Sequence, residues 1–297
     1  MFTRRGWAYR QRDRGFRATM RFFFPHIAGE IRREHEDATF AAVDDAPPPH
    51  RLVIDRGSDT TIVSFSSAAL LHAGQPTKEF EGFFRRHGRD YNLVFYRDVH
   101  RSAYHFTPEG KAGGIAFYEQ DLRDTLAALG STRHVAIGDS AGAAAAIYYG
   151  ARCGFDQIIA FSPPFPLRHW VSPLAQIRAL FDVGLLFREP SAYSEHVVLA
   201  FTPIFWLLLP IGFRCGFRNI WDPIATYAAS ERPPDLTVFF GEGSRPERKI
   251  LEPLRGLPRV DLRPLPTAKH FAMVQLARRG KLAETIMAIV DRRPAPA

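Results

Sequence analysis

Cysteine is almost missing from this chain, with Cys153 and Cys215 as the whole complement of 297 residues. Two thiols exclude a disulfide framework, and neither sits in a CxxC or Cys/His spacing that would hold a metal. A reduced, cytoplasmic setting and the absence of a metal site are the expectations. Long uncharged runs are scarce as well. Residues 197–213 (VVLAFTPIFWLLLPIGF) carry no charge but contain Pro203 and Pro210. They also fall short of the roughly 20 residues that span a bilayer, so a buried or partly exposed apolar cap is expected there. At the N-terminus the apolar run Phe22-Phe23-Phe24 ends in Pro25, too short for the core of a signal peptide. No GxGxxG or Walker-type phosphate fingerprint, internal repeat or long Gly/Ser linker occurs.

Charge is uneven. The formal net charge is +8, yet residues 1–35 hold nine arginines against Asp13, Glu30 and Glu34, which makes +6 and leaves +2 for the rest. A basic tail on a near-neutral body does not suggest a nucleic-acid partner. The tail also carries Phe2, Trp7, Tyr9, Phe16 and Phe22 to Phe24. Contact with an anionic membrane surface, through this tail or through the apolar segment, is one reading, and a solvated or locally docked tail is the other. With 46–49 (APPP) as a spacer, residues 1–50 form a basic extension and 51–297 a single domain.

Within that domain, short β-rich runs alternate with helical stretches. Strands are expected at 51–55, 61–66, 92–97, 134–137, 157–162, 236–240 and 260–265. Several are continuously apolar, as befits strands buried on both faces. Helices are expected at about 76–87, 114–129, 141–152, 246–255 and 272–291, which gives repeated βα units and a mostly parallel sheet. The first two strands are separated by Arg56-Gly57-Ser58-Asp59, which reads as a hairpin placing an antiparallel strand near the sheet edge. The interval from about 163 to 235, rich in proline and aromatic residues, reads as an insertion between two sheet strands.

The sharpest motif is Gly138-Asp139-Ser140-Ala141-Gly142, which follows the strand HVAI and precedes the small-residue helix AGAAAAIYYGA. A nucleophile on such a strand-to-helix turn sits in a strained conformation, and glycines on both sides remove Cβ atoms that would collide with neighbouring backbone. The helix N-terminus directs N–H groups at any negative charge developing on Ser140. The bland alternative is a tight turn without chemistry.

With these residues in place the sequence resembles the α/β-hydrolase superfamily over about residues 50–291. The resemblance implies an α/β-hydrolase fold with helices on both faces of the sheet and an apolar cap, and the chain order nucleophile, acid, histidine. His270 follows the last expected strand and takes the histidine's place as general base. The acid departs from the pattern, because Ser244 stands where an aspartate is usual in Gly241-Glu242-Gly243-Ser244-Arg245-Pro246-Glu247. Glu247 is favoured, with Glu242 the alternative; Glu247 also reads simply as a helix-N-terminal carboxylate, and a site without a working acid stays open. The oxyanion donors implied are the N–H of Ala141 and that of Ser67 or Ala68. Asp222, before Pro223, reads as a helix cap more than as an acid. Tyr96, Arg97, Asp98, Tyr104 and His105 read as structural hydrogen-bonding groups or as lining for the substrate entrance.

The resemblance implies a carboxylesterase- or lipase-like serine hydrolase that cleaves a small, hydrophobic ester through an acyl-enzyme, without a cofactor. An acyltransferase or deacylase acting on a lipid or glycan, and a catalytically inactive binding module, are the alternatives. The missing aspartate at 244 favours the last.

Overall fold

A computed structural model describes residues 49–67, 80–88, 90–99, 102–164, 221–268, 270 and 272–292. The basic extension, Ala68, the greater part of the 163–235 insertion including residues 197–213, and the final residues lie outside them.

All seven expected strands are present: β1 Arg51–Ile54, β2 Thr60–Phe65, β3 Asn92–Tyr96, β4 Arg133–Asp139, β5 Gln157–Phe161, β6 Asp235–Gly241 and β7 Val260–Leu265. They form one sheet in the order β1-β3-β2-β4-β5-β6-β7, parallel throughout except for β1 against β3. The helices are α1 Glu81–His87, α2 Gly114–Leu129, α3 Ala141–Arg152, α4 Pro223–Ala228, α5 Arg245–Leu251, α6 Ala272–Arg278 and α7 Leu282–Val290. No described helix is long and apolar enough to cross a membrane.

The continuous apolar runs conceal a period of two. Val63 and Phe65, Val94 and Tyr96, Ile158 and Ala160, and Val238 and Phe240 share one core with residues of α2, α3, α4 and α5. The residues between them, Ile62, Leu93, Phe95, Ile159, Phe161 and Phe239, share a second core with α1, α6 and α7. Alternate side chains leave opposite faces of a strand, so a run apolar at every position needs helices on both sides. The sheet reverses its winding between β2 and β4, where Phe65 lies beside Gly138. Ligands of open α/β sheets bind beyond the carboxyl ends of the strands at such a reversal.

Two expectations need correction. β1 is the antiparallel edge strand, but it pairs with β3 and not with β2, so residues 55–59 form a crossover and not a hairpin turn. Asn92 at the start of β3 makes the crossover possible. Its side-chain carbonyl accepts from the N–H groups of Arg56 (2.8 Å) and Ser58 (3.1 Å), and its amide donates to the Ser58 carbonyl (2.8 Å). Nor is 272–291 one helix. Gly280, with φ of 65°, closes α6: its N–H donates to the Ala277 carbonyl and that of Lys281 to the Leu276 carbonyl. A left-handed residue carrying this bond pair ends a helix, a signal overlooked in the apolar periodicity.

Asn92 is fully buried and holds a segment with no regular structure of its own. Asn92→Ala should therefore cost about 2 kcal/mol through the abandoned backbone groups, measured by urea unfolding.

Candidate active site

Ser140 ends β4 and begins α3 with φ 53° and ψ −121°, a conformation that side-chain-bearing residues rarely adopt. Its N–H donates to the Phe161 carbonyl on β5 at 2.8 Å, and its carbonyl accepts the Ala144 N–H at 3.1 Å. The residue thus completes the sheet ladder and starts the helix at once. Both flanking glycines are required by space. A Cβ on Gly138 would lie 2.2 Å from the carbonyl carbon and oxygen of Gly142, and one on Gly142 would lie 2.1 Å from the Phe65 carbonyl oxygen. Ala143 to Ala146 are fully buried, so helix and sheet approach with little side-chain bulk between them.

His270 follows β7 in a segment tied to the end of β6: Glu242 donates its N–H to the Leu265 carbonyl (2.9 Å) and Gly243 to the Thr267 carbonyl (2.8 Å). A Cβ on Gly243 would lie 2.9 Å from that of Ala268, so the two segments fit only because position 243 is bare. From there the imidazole Nε2 lies 2.9 Å from Ser140 Oγ, and Nδ1 lies 2.8 Å from Glu247 Oε1.

Glu247 is the third residue of α5, fully buried between exposed Arg248 and partly exposed Pro246. Its Oε2 accepts the Gly241 N–H at 2.8 Å and faces the Ser162 hydroxyl at 3.5 Å. The two readings of this residue therefore coincide, since a carboxylate in the first helical turn also meets the imidazole. Burial pushes the carboxyl above its ordinary range, while His270, the Gly241 N–H and Ser162 pull the other way by favouring its ionised form. An ionised carboxylate only accepts, so with Glu247 charged the ring would donate from Nδ1 and leave Nε2 to accept the hydroxyl of Ser140. Glu242, the alternative, is exposed, and its described hydrogen bonds are those of its backbone, the N–H to Leu265 and the carbonyl to Arg248 at 2.7 Å. The carboxylate that the sequence lacks at 244 comes from one turn further on.

Of the implied oxyanion donors, Ala141 opens α3 beside Ser140, and Ser67 is buried just past β2. Ala68 lies outside the described residues. Asp222 caps α4, accepting the Ala225 N–H at 3.0 Å. Tyr96 donates to Asp121 at 2.8 Å, and Arg97, Asp98, Tyr104 and His105 are buried. No group of His, Cys, Asp and Glu able to hold a metal occurs among the described residues.

Two residues near the site escaped the sequence reading. Ser162, just past β5, is fully buried with φ 48°, and its hydroxyl also accepts the Ala272 N–H at 3.4 Å. Ser66, just past β2, bonds to Asp98 and Tyr104. A serine ending an apolar strand carries no periodic signal, so only the arrangement in space reveals either one.

A carboxyl whose proton affinity is raised by folding stabilises the fold fully below its unfolded value, about 4.5, and loses that contribution as pH rises through the folded value. Glu247→Gln removes this dependence. Its melting temperature relative to the native chain should therefore climb as pH rises from about 4 toward neutrality, as followed by calorimetry across that range. Gly142→Ala should destabilise the fold by about 2–3 kcal/mol in the same measurement, since the Phe65 carbonyl is backbone and cannot move aside cheaply.

No family model matches the sequence, and no curated protein aligns with it. Solved structures do match in three dimensions. A carboxylesterase of the thaumarchaeon Nitrososphaera gargenis shares 14% identity, with a TM-score of 0.51, over 81% of this chain and 93% of its own. MenH from S. aureus shares 10%, with a TM-score of 0.50, over 81% and 97%. The capsule O-acetyltransferase of Neisseria meningitidis serogroup A shares 14%, again with a TM-score of 0.50, over 80% and 90%. The seven-stranded sheet, its single antiparallel edge and this likeness together establish that the chain has the α/β-hydrolase fold.

Proposed function

We propose that this chain is a serine hydrolase that cleaves esters by two-step acyl transfer. One observation carries the reading: a continuous line of hydrogen bonds from Glu247 through His270 to Ser140, at 2.8 and 2.9 Å, with the hydroxyl partly exposed and the other two groups buried. Such a line requires three residues from three separate elements to converge, and a tight turn without chemistry has no need of it.

In the first step the Ser140 oxygen attacks the ester carbonyl carbon while His270 Nε2 takes the hydroxyl proton. Glu247 holds the ring in the tautomer that can accept this proton and stabilises the imidazolium that results. Charge on the carbonyl oxygen is met by the N–H groups of Ala141 and Ser67, at the N-terminus of α3 and the end of β2. Collapse of the tetrahedral adduct breaks the bond to the alkoxy group, which leaves with the proton from His270. Water, deprotonated by the same imidazole, then attacks the acyl carbon and frees Ser140. No cofactor takes part in this scheme. The apolar composition of residues 173–213 favours a hydrophobic acyl chain as substrate, and together with the basic tail it favours work at a membrane surface.

The test is reaction with a fluorophosphonate, which modifies activated serines. The native chain should be labelled with a stoichiometry of one and should hydrolyse p-nitrophenyl esters, while Ser140→Ala should do neither. Glu247→Gln should fold but lose about 10⁴-fold in kcat, because an amide donor at Nδ1 imposes the wrong tautomer, as the same change does in Ser-His-Asp enzymes. An unlabelled native chain would show that the serine is inert.

A further inference from the structure

We infer that Tyr104 is a positioning residue of this site, its hydroxyl fixing the direction of the Ser67 N–H that receives the oxyanion. The inference rests on the serine-hydrolase reading above. It begins with Ser66, whose three polar groups all have partners at hydrogen-bond distance. The Ser66 N–H donates to the Tyr96 carbonyl (3.0 Å), Oγ accepts the Asp98 N–H (2.9 Å), and the carbonyl accepts the Tyr104 hydroxyl (3.1 Å). The peptide joining Ser66 to Ser67 is planar and trans, so its C=O and N–H point in opposite directions. A hydroxyl that pins the oxygen therefore also sets the N–H of the next residue, Ser67, which follows two residues after β2, the strand paired with the one that presents Ser140.

The cost of placing that hydroxyl is visible in the backbone. Ala103 and Tyr104 both have positive φ, 47° and 63°, and neither is glycine. Asp98, almost fully buried, holds the turn: its carboxylate accepts the Ser102 hydroxyl and the Tyr104 N–H, each at 3.2 Å. Ser102 Oγ in turn accepts the Phe106 N–H at 3.1 Å. Asp98 thus grips Ser66 through its own N–H and Tyr104 through its side chain, closing a triangle of Ser66, Asp98 and Tyr104. Packing alone does not call for the phenol. The Tyr104 ring sits edge-on to Phe65, Tyr118 and Tyr149, contacts that phenylalanine would make equally well.

Removing an oxyanion donor outright costs about 10²–10³ in rate, so leaving one in place but loosely aimed should cost less, about 10- to 50-fold. The experiment compares the native chain, Tyr104→Phe and Tyr118→Phe. Tyr118 is a matched control, because its hydroxyl is equally buried in the same aromatic group but donates to the Arg97 carbonyl and not to Ser66. Rates are normalised to the fraction of sites that fluorophosphonate titrates, which corrects for any loss of folded protein. Tyr104→Phe is expected to lower kcat on a p-nitrophenyl ester by about 10- to 50-fold with KM unchanged. Its affinity for a trifluoromethyl ketone, which forms an oxyanion on Ser140, should weaken in parallel. Tyr118→Phe should change neither quantity. If the native chain is labelled but Tyr104→Phe matches it in kcat and ketone affinity, or if Tyr118→Phe falls equally, Tyr104 is structural only. If the native chain is not labelled, the serine-hydrolase reading fails and takes this inference with it.

Discussion

The backbone at Ser140 is the constraint around which the molecule is arranged. A residue with φ 53° and ψ −121° holds its conformation, at a cost of about 1–3 kcal/mol, only when everything around it forbids relaxation. Here the restraints are specific. The N–H is locked to β5, the carbonyl belongs to α3, and the Gly138 and Gly142 backbones lie too close to their neighbours for any side chain. The fully buried alanines of α3 and the two apolar cores carry the strain, and the result is a hydroxyl lifted off the carboxyl end of the sheet.

A second tension lies at Glu247. Burial disfavours its charge, yet His270, the Gly241 N–H and Ser162 supply the partners that a buried carboxylate needs. Those partners come from different elements, so the carboxylate links the end of β6, the end of β5 and the segment after β7. Stability and chemistry draw on this residue in opposite directions, a familiar trade at functional sites.

Much of this was legible in the sequence, and what was legible had a local cause. The strands announced themselves as short apolar runs and the turn at Ser140 as glycines two residues to either side, because space around that turn admits nothing larger. His270 and Glu247 could be named from their order along the chain, but their approach to one another depends on how β6, α5 and β7 pack. One error was of the long-range kind and one was local. Nothing in residues 55–59 reveals that their hydrogen-bond partner is Asn92, so the crossover read as a hairpin. Apolar periodicity carried a single helix through Gly280 because periodicity does not register a left-handed residue. Ser66, Ser162 and the paired positive φ values at Ala103 and Tyr104 left no pattern at all, being set by contacts across the sheet.

The account stands on one covalent event at one oxygen. Mixing the protein with an excess of a p-nitrophenyl ester, quenching in acid within the first turnover and mapping the digested chain by mass spectrometry tests it directly. The account predicts a single acyl group, ester-linked, on the peptide that contains Ser140. An acyl group on another residue, or turnover of the ester with no acylated peptide at any quench time, would contradict it.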